Sequence, residues 1–188
     1  MELTSTQVLA ALQDVKDPEI PVVSVVDLGI VQSVVVDGDR VIVSITPTFT
    51  GCPALELMRH EISERILALG ATQVDVPVVL HPAWTSDRIA PAAREQMRRI
   101  GLMPPPPANR RVFAADSALS LDLMPMAGDS AAEAKADFDA GDESDVSAIC
   151  PFCGASNTVL ENAFGPTICR TLHYCHSCQQ PFEAFKPL

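Results

Sequence analysis

Basic residues are scarce in this chain: 13 Lys and Arg stand against 24 Asp and Glu, giving a net charge of −11 over 188 residues. A field of that sign repels phosphate backbones, so nucleic-acid binding through counterion release is disfavoured. Long apolar runs are missing too. No stretch approaches the roughly 18 residues a membrane span needs, and the opening MELTSTQ has neither the basic nor the apolar region of a secretory leader. The expectation is a cytoplasmic protein without membrane contact. The chain also lacks a phosphate-cradling glycine loop, a Ser/His/Asp arrangement and a His-x-x-x-His helix. Those absences remove the commonest routes to hydrolysis and phosphoryl transfer.

What the chain does have is sulfur. Two Cys-x-x-Cys pairs, Cys150-Pro-Phe-Cys153 and Cys175-His-Ser-Cys178, flank a stretch able to form a hairpin, so four thiolates can converge on one metal ion. Two close pairs of soft ligands suit the tetrahedral demand of Zn2+, with Pro151 and Gly154 shaping the turn that points backbone N–H groups at the sulfurs. Iron held by four thiolates, or an iron-sulfur cluster, uses the same ligands. Cys169 is a fifth thiol in this region, able to ligate, to resolve a disulfide or to pack as a small hydrophobe. His173 and His176 flank Cys175, but four cysteines already complete a shell.

The acidity is uneven. Residues 1–111 carry a net −3, residues 112–149 a net −8, and residues 150–188 are neutral. This pattern divides the chain into an α/β (α+β) domain over 1–103, a proline-rich then acidic linker over 104–146, and a ribbon-like β hairpin domain over 147–188. In the first domain a helix is expected over Gln7 to Val15, capped by Ser5 or Thr6. A hairpin follows, its strands Ile30 to Val36 and Arg40 to Thr46 joined through Asp37-Gly38-Asp39. A helix from Pro53 to Leu69, a strand from Gln73 to Leu80 and a helix from Ser86 to Ile100 complete the pattern. Pro104 to Pro107 then form a stiff extended segment, and Ala131 to Ala136 could make a turn of helix in the linker. The last segment holds Phe152, Phe164, Tyr174, Phe182 and Phe185, five of the nine aromatics, so an aromatic core is expected there. A unit this short needs its metal to fold.

Cys52 is the thiol that stands apart. In Thr50-Gly51-Cys52-Pro53 it is placed to be the N-cap of the central helix, with Pro53 at the first helical position. The helix dipole would lower its pKa, making it a nucleophile or a transient metal ligand; a buried bystander is the alternative. Asp17-Pro18-Glu19-Ile20-Pro21 and Asp27-Leu28-Gly29 place three carboxylates on loops. Singly each reads as turn chemistry, and together beside one activated thiol they would form a mixed oxygen and sulfur site.

The strings DPEIPVVSVVDLGIV and SITPTFTGCPALELM resemble the iron-sulfur cluster assembly family that includes SufT-like proteins, over roughly residues 5 to 101. Joined to CPFCGASNTVLENAFGPTICRTLHYCHSCQQPFEAFKPL, the whole chain is similar to the PaaD family, small accessory proteins of the bacterial phenylacetyl-CoA epoxidase system. The resemblance implies a part in aerobic phenylacetate catabolism that helps the multicomponent di-iron epoxidase become active. It points to Asp17, Glu19, Asp27 and Cys52 as signature positions of the first domain, for transient iron or a functional thiol. In the ribbon it points to Cys150, Cys153, Cys175 and Cys178, with Cys169 inside the matching string. Zn2+ in a structural role, or iron or an iron-sulfur cluster, is the implied cofactor. Implied partners are the epoxidase's oxygenase and reductase components, with a homodimer also open. A non-catalytic role is expected, because the helix pair bearing Glu and Glu-x-x-His that an oxygenase needs, and any flavin or nicotinamide fingerprint, are absent.

Overall fold

The computed structural model describes residues 3–49, 51–107 and 148–186. The chain opens with helix α1 (Ser5–Leu12), starting earlier than its apolar spacing suggested because Thr4, not Ser5 or Thr6, closes a capping box with Gln7. It also ends earlier. Past Leu12 the backbone is drawn into loop pairing, with Val25 N donating to Val15 O at 3.0 Å and Lys16 bridging Ser24. Strands β1 (Val31–Asp37) and β2 (Arg40–Ile45) form the expected antiparallel hairpin, turned by Gly38 at φ +61°. Val41, Val43 and Ile45 of β2 are fully buried, as period-2 alternation requires.

Helix α2 (Leu55–Ala68) covers this sheet through Met58, Ile62 and Ile66. The third strand is shorter than expected: β3 (Gln73–Asp75) pairs parallel to β2, and beyond it only an isolated bridge joins Ile45 to Val78. Pro77 explains the break, since a proline has no N–H to give a ladder. The helix expected from Ser86 also divides. A 3-10 turn (Ser86–Arg88) is separated from α3 (Pro91–Arg99) by extended Ala90, at φ −58° and ψ 144°. Proline bars its predecessor from helical geometry and then serves as the first helical residue.

The second sheet has the order β4-β7-β6-β5, built from β4 (Leu102–Met103), β5 (Thr158–Asn162), β6 (Arg170–Cys175) and β7 (Gln180–Phe185). Its last three strands are an antiparallel meander, whereas β4 pairs parallel to β7 at Leu102 with Glu183 and Met103 with Ala184. The N-terminal portion thus contributes an edge strand to the ribbon. Packing reinforces this seam: Cys169 and Phe185 belong to the core built by α1, β2 and α2, and Phe185 meets Trp84 at 6.1 Å between ring centroids.

The proline run is seated at its start. Pro104 and Pro105 are buried, Arg94 Nη1 donates to Pro105 O at 2.6 Å, and Ser86 Oγ donates to Pro106 O at 2.7 Å. The rest of the expected linker from 108 onward, with the helical turn from Ala131 to Ala136, lies outside the described residues. The expected aromatic core of the ribbon is not what forms. Phe152 and Phe164 are 54% and 75% exposed, and Phe182 alone joins Cys150 and Cys175 in the small interior cluster. Phe185 is buried in the main core instead. Among the described residues no helix is long and apolar enough to cross a membrane.

Candidate metal centre and thiol cleft

The two Cys-x-x-Cys segments form matching knuckles. In the first, Gly154 N donates to Cys150 O at 2.9 Å and Gly154 takes φ +75°; in the second, Gln179 N donates to Cys175 O at 2.8 Å and Gln179 takes φ +59°. The left-handed residue after each pair curls the backbone so that both sulfurs face one point. All four sulfurs lie within 4.8 Å of one another, with Cys150 to Cys178 and Cys153 to Cys175 each at 3.6 Å. A tetrahedron with metal–sulfur bonds of about 2.3 Å has edges of about 3.8 Å. The donor set therefore fits one four-coordinate ion, and Zn2+ there would supply a redox-inert cross-link between the β5 and β7 ends of the ribbon.

The crowding shows in the acidities. Backbone N–H groups of Cys178 and Ser177 directed at the Cys175 sulfur hold that thiol down at about 6. Burial, together with the neighbouring sulfurs, pushes Cys178 up to about 12. One thiolate forms readily and the next are penalised until a cation neutralises the set. The histidines stay outside. His173 is buried against Phe182, with ring centroids 5.3 Å apart, and its Nε2 is 2.9 Å from Thr171 Oγ1; exposed His176 stands edge-on to Tyr174.

The first-domain residues are arranged differently from the sequence expectation. Cys52 is not the N-cap of α2: Ala54 holds that position, without a side-chain cap, and Cys52 lies in the preceding turn, where its carbonyl accepts from Leu55 N at 3.3 Å. Nor is its thiol acidified. Burial raises the pKa, the Glu19 and Asp17 carboxylates raise it further, and the Ala54 and Leu55 backbone groups offset only part. Asp17 is 7% exposed, and its Oδ1 accepts from the Glu19 and Ile20 N–H groups at 2.9 Å each. It caps its own turn, and burial keeps its carboxyl above the usual range. Asp27 is held elsewhere, accepting from Gln13 Nε2 at 3.2 Å, with its N–H on Ser24 Oγ at 2.9 Å. Among the described residues, the four ribbon cysteines are the group of three or more potential ligands that converges within 4.8 Å; Asp17, Glu19, Asp27 and Cys52 do not assemble one.

Cys169 was the least defined thiol in the sequence, and the fold gives it a setting. It begins β6's approach to the core, is 9% exposed, and its Sγ donates to Glu19 Oε2 at 2.9 Å across the seam. Burial, followed by that hydrogen bond to a carboxylate, pushes its pKa up to about 11. Arg170 binds the Glu19 carbonyl and, at 2.5 Å, the Glu183 carboxylate. Glu19, Cys52 and Cys169 line one cleft with Thr48, Phe49 and Ile168, enclosing about 10 Å³. Nothing in local sequence spacing could have paired Glu19 with a cysteine 150 residues away.

Known proteins are similar to both portions of this chain. Residues 5–78 match the iron-sulfur cluster assembly protein family and residues 134–186 the PaaD zinc beta ribbon domain. A protein of Escherichia coli K12, provisionally named as one of the subunits of 1,2-phenylacetyl-CoA epoxidase, is 35% identical over 96% of this chain and 91% of its own length. An Fe-S protein maturation auxiliary factor of Porphyromonas gingivalis is 30% identical over 53% of this chain and 93% of its own. Among solved structures, a conserved hypothetical protein of Thermotoga maritima shares 33% identity over 51% of this chain and 95% of its own, with a TM-score of 0.46. With the full-length match and both family matches falling on the two sulfur-bearing portions, the chain belongs to the PaaD family, an iron-sulfur cluster assembly domain joined to a zinc β-ribbon.

Proposed function

We propose that this chain is a non-catalytic accessory protein of the phenylacetyl-CoA epoxidase system, acting in the assembly or maturation of an iron-sulfur or di-iron centre in one of its components. In this reading residues 1–103 are the assembly domain, 104–146 the linker and 147–188 the metal ribbon. The ribbon cysteines Cys150, Cys153, Cys175 and Cys178 hold a structural Zn2+, and the clients are the oxygenase or reductase components. The observation that carries the reading is a second thiol-lined cleft, separate from the four-sulfur site and placed at the seam between the two portions. A complete four-cysteine shell retains its ion, whereas a cleft with one half-exposed thiol, Cys52, beside a carboxylate can take up and release one. Relatives named as an epoxidase component and as an Fe-S maturation factor support both the pathway and the task.

The test is epoxidase produced with and without this chain. Metal content and activity of the purified oxygenase and reductase should fall together when the chain is missing, while their polypeptide levels hold. Full metal and full activity in its absence would end the proposal. A second reading, a stoichiometric component that docks oxygenase to reductase, is favoured by the naming of the Escherichia coli relative as part of the epoxidase itself. It predicts co-purification at a fixed ratio and client proteins that are fully metallated but inactive when the chain is absent.

A further inference from the structure

We infer that Cys52, Cys169 and Glu19 form an exchangeable binding site for a single soft divalent cation, with the second thiol supplied by the ribbon portion. The inference rests on the maturation reading only for the cation's destination. The site itself rests on geometry. Cys52 comes from the turn before α2, Cys169 from the turn before β6, and Glu19 from the loop after α1, and all three line one cleft. Its volume of about 10 Å³ is close to that of one water-sized sphere, which is the scale of one ion.

Charge selects a cation. Asp17 and Glu19 both act on the Cys52 sulfur, and the Glu19 carboxylate touches the Cys169 sulfur at 2.9 Å. The adjacent guanidinium of Arg170 also acts on Cys169 and Asp17, but its hydrogen bonds go to the Glu19 carbonyl and the Glu183 carboxylate. Two sulfurs with one oxygen favour a soft or borderline ion over calcium or magnesium. In the cation-free chain both thiols carry their protons at neutral pH, since an ordinary cysteine titrates at about 8.5 and Cys169 Sγ donates to Glu19 Oε2. Binding therefore exchanges one divalent cation for two S–H protons; two metal–sulfur bonds form, no electron is transferred and no oxidant is required. Glu19 is in place to accept the Cys169 proton on its way to solvent.

Exchangeability follows from the same facts. The three ligand atoms do not all lie within 4.8 Å of one another, unlike the four in the ribbon, so Cys52 must swing inward to close the site. That movement and the smaller donor set, three ligands against four, weaken retention relative to the ribbon. Because Cys169 leads directly into β6, occupancy of the cleft also couples the ribbon to the assembly domain.

The experiment uses full-length protein whose ribbon is loaded with one equivalent of Zn2+, titrated with Co2+ without oxygen. A second equivalent should bind with sulfur-to-cobalt charge-transfer absorption about half as intense as that of a cobalt-loaded four-cysteine ribbon, releasing about two protons. Cys52→Ser and Cys169→Ser should each halve that absorption and weaken second-site binding about tenfold or more. Glu19→Gln should weaken binding while leaving the sulfur bands. Retention of ribbon zinc reports folding, and if Cys169→Ser lost it, wild-type protein decides: bound Co2+ should shield both Cys52 and Cys169 from alkylation. No second equivalent in the wild type, charge transfer indifferent to Cys169→Ser, or alkylation of Cys169 unaffected by Co2+ would each overturn the inference. Epoxidase metal content, measured with the same variants, separates the two ideas. Full second-site binding with a client that needs no such chain would sink the maturation reading alone, whereas normal client maturation by Cys169→Ser with no second-site binding in the wild type would sink only the site.

Discussion

Gly29 stands at φ +74°, and the Cβ of an alanine there would fall 2.5 Å from Arg88 Cβ and 2.7 Å from the Arg88 carbonyl oxygen. The second of these is backbone and cannot swing away. Around it, Trp84 Nε1 donates to Leu28 O at 3.0 Å and Ala90 N to Asp27 O at 2.8 Å, so Asp27-Leu28-Gly29 works as a clamp that seats the 84–90 segment. Gly29→Ala should cost about 2–4 kcal/mol, because the left-handed backbone and the collision act together. Denaturant unfolding measures this, and a loss below about 0.5 kcal/mol would refute the clamp. Asp17 gives a pH signature. Its folded pKa is raised above 3.8, chiefly by burial, so its contribution to stability is complete at pH below that value and is lost as pH rises through the raised one. Asp17→Asn retains the oxygen that accepts from Glu19 and Ile20 but removes the buried charge. The variant should show a flatter stability curve above pH 4 and be at least as stable as wild type at neutral pH. A steeper curve, or clear destabilisation at pH 7, would mean the carboxylate is held ionised for another purpose.

At the level of elements, the short strand β4 and the aromatic contact behind it hold the ribbon against the assembly domain. Phe185 is 3% exposed and ends β7 within the main core, tilted 59° against Trp84. Phe185→Ala should cost about 3 kcal/mol through the lost burial and the cavity left beside Trp84. The loss should appear as faster hydrogen exchange in β4 and β7 together, and exchange confined to β7 would show that the two are not one cooperative unit. The sequence reveals much at this scale where the signal is local. Alternation exposed the β1 and β2 hairpin, the Cys-x-x-Cys spacing marked the four ribbon sulfurs that converge, and apolar periodicity found α2. What it hid is non-local or set by competition. Pro77 cut short a strand and Pro91 divided a helix that the apolar pattern ran through, and Cys52 lost its expected acidity because burial outweighed the helix end. Met103 pairs with Ala184 of β7, 81 residues further along, a pairing with no periodicity to betray it.

Across the whole molecule, these links would make a metal held by the ribbon a stabiliser of more than its own hairpin. The ribbon's private core is three buried side chains, Cys150, Cys175 and Phe182, and two of those belong to the converging four-sulfur group. A unit with so little apolar interior depends on its ion for folding. Stripping the metal should therefore release the β5 to β7 meander, withdraw Phe185 from the main core and bare the seam. The chain's single tryptophan reports this directly, because Trp84 is 5% exposed and packed against Phe185. Addition of a strong chelator should shift Trp84 emission to the red with the same time course as the loss of β signal in circular dichroism, and Zn2+ should reverse both. The assembly domain keeps its own core of α1, β1, β2 and α2, so helical signal should survive the treatment. Emission that stays unchanged while the ribbon unfolds would mean that the sheet shared through β4 does not transmit the state of the sulfur site to the rest of the chain. In that case the thiol cleft at the seam, with one wall on each portion, would lose Cys169 without the assembly domain registering it.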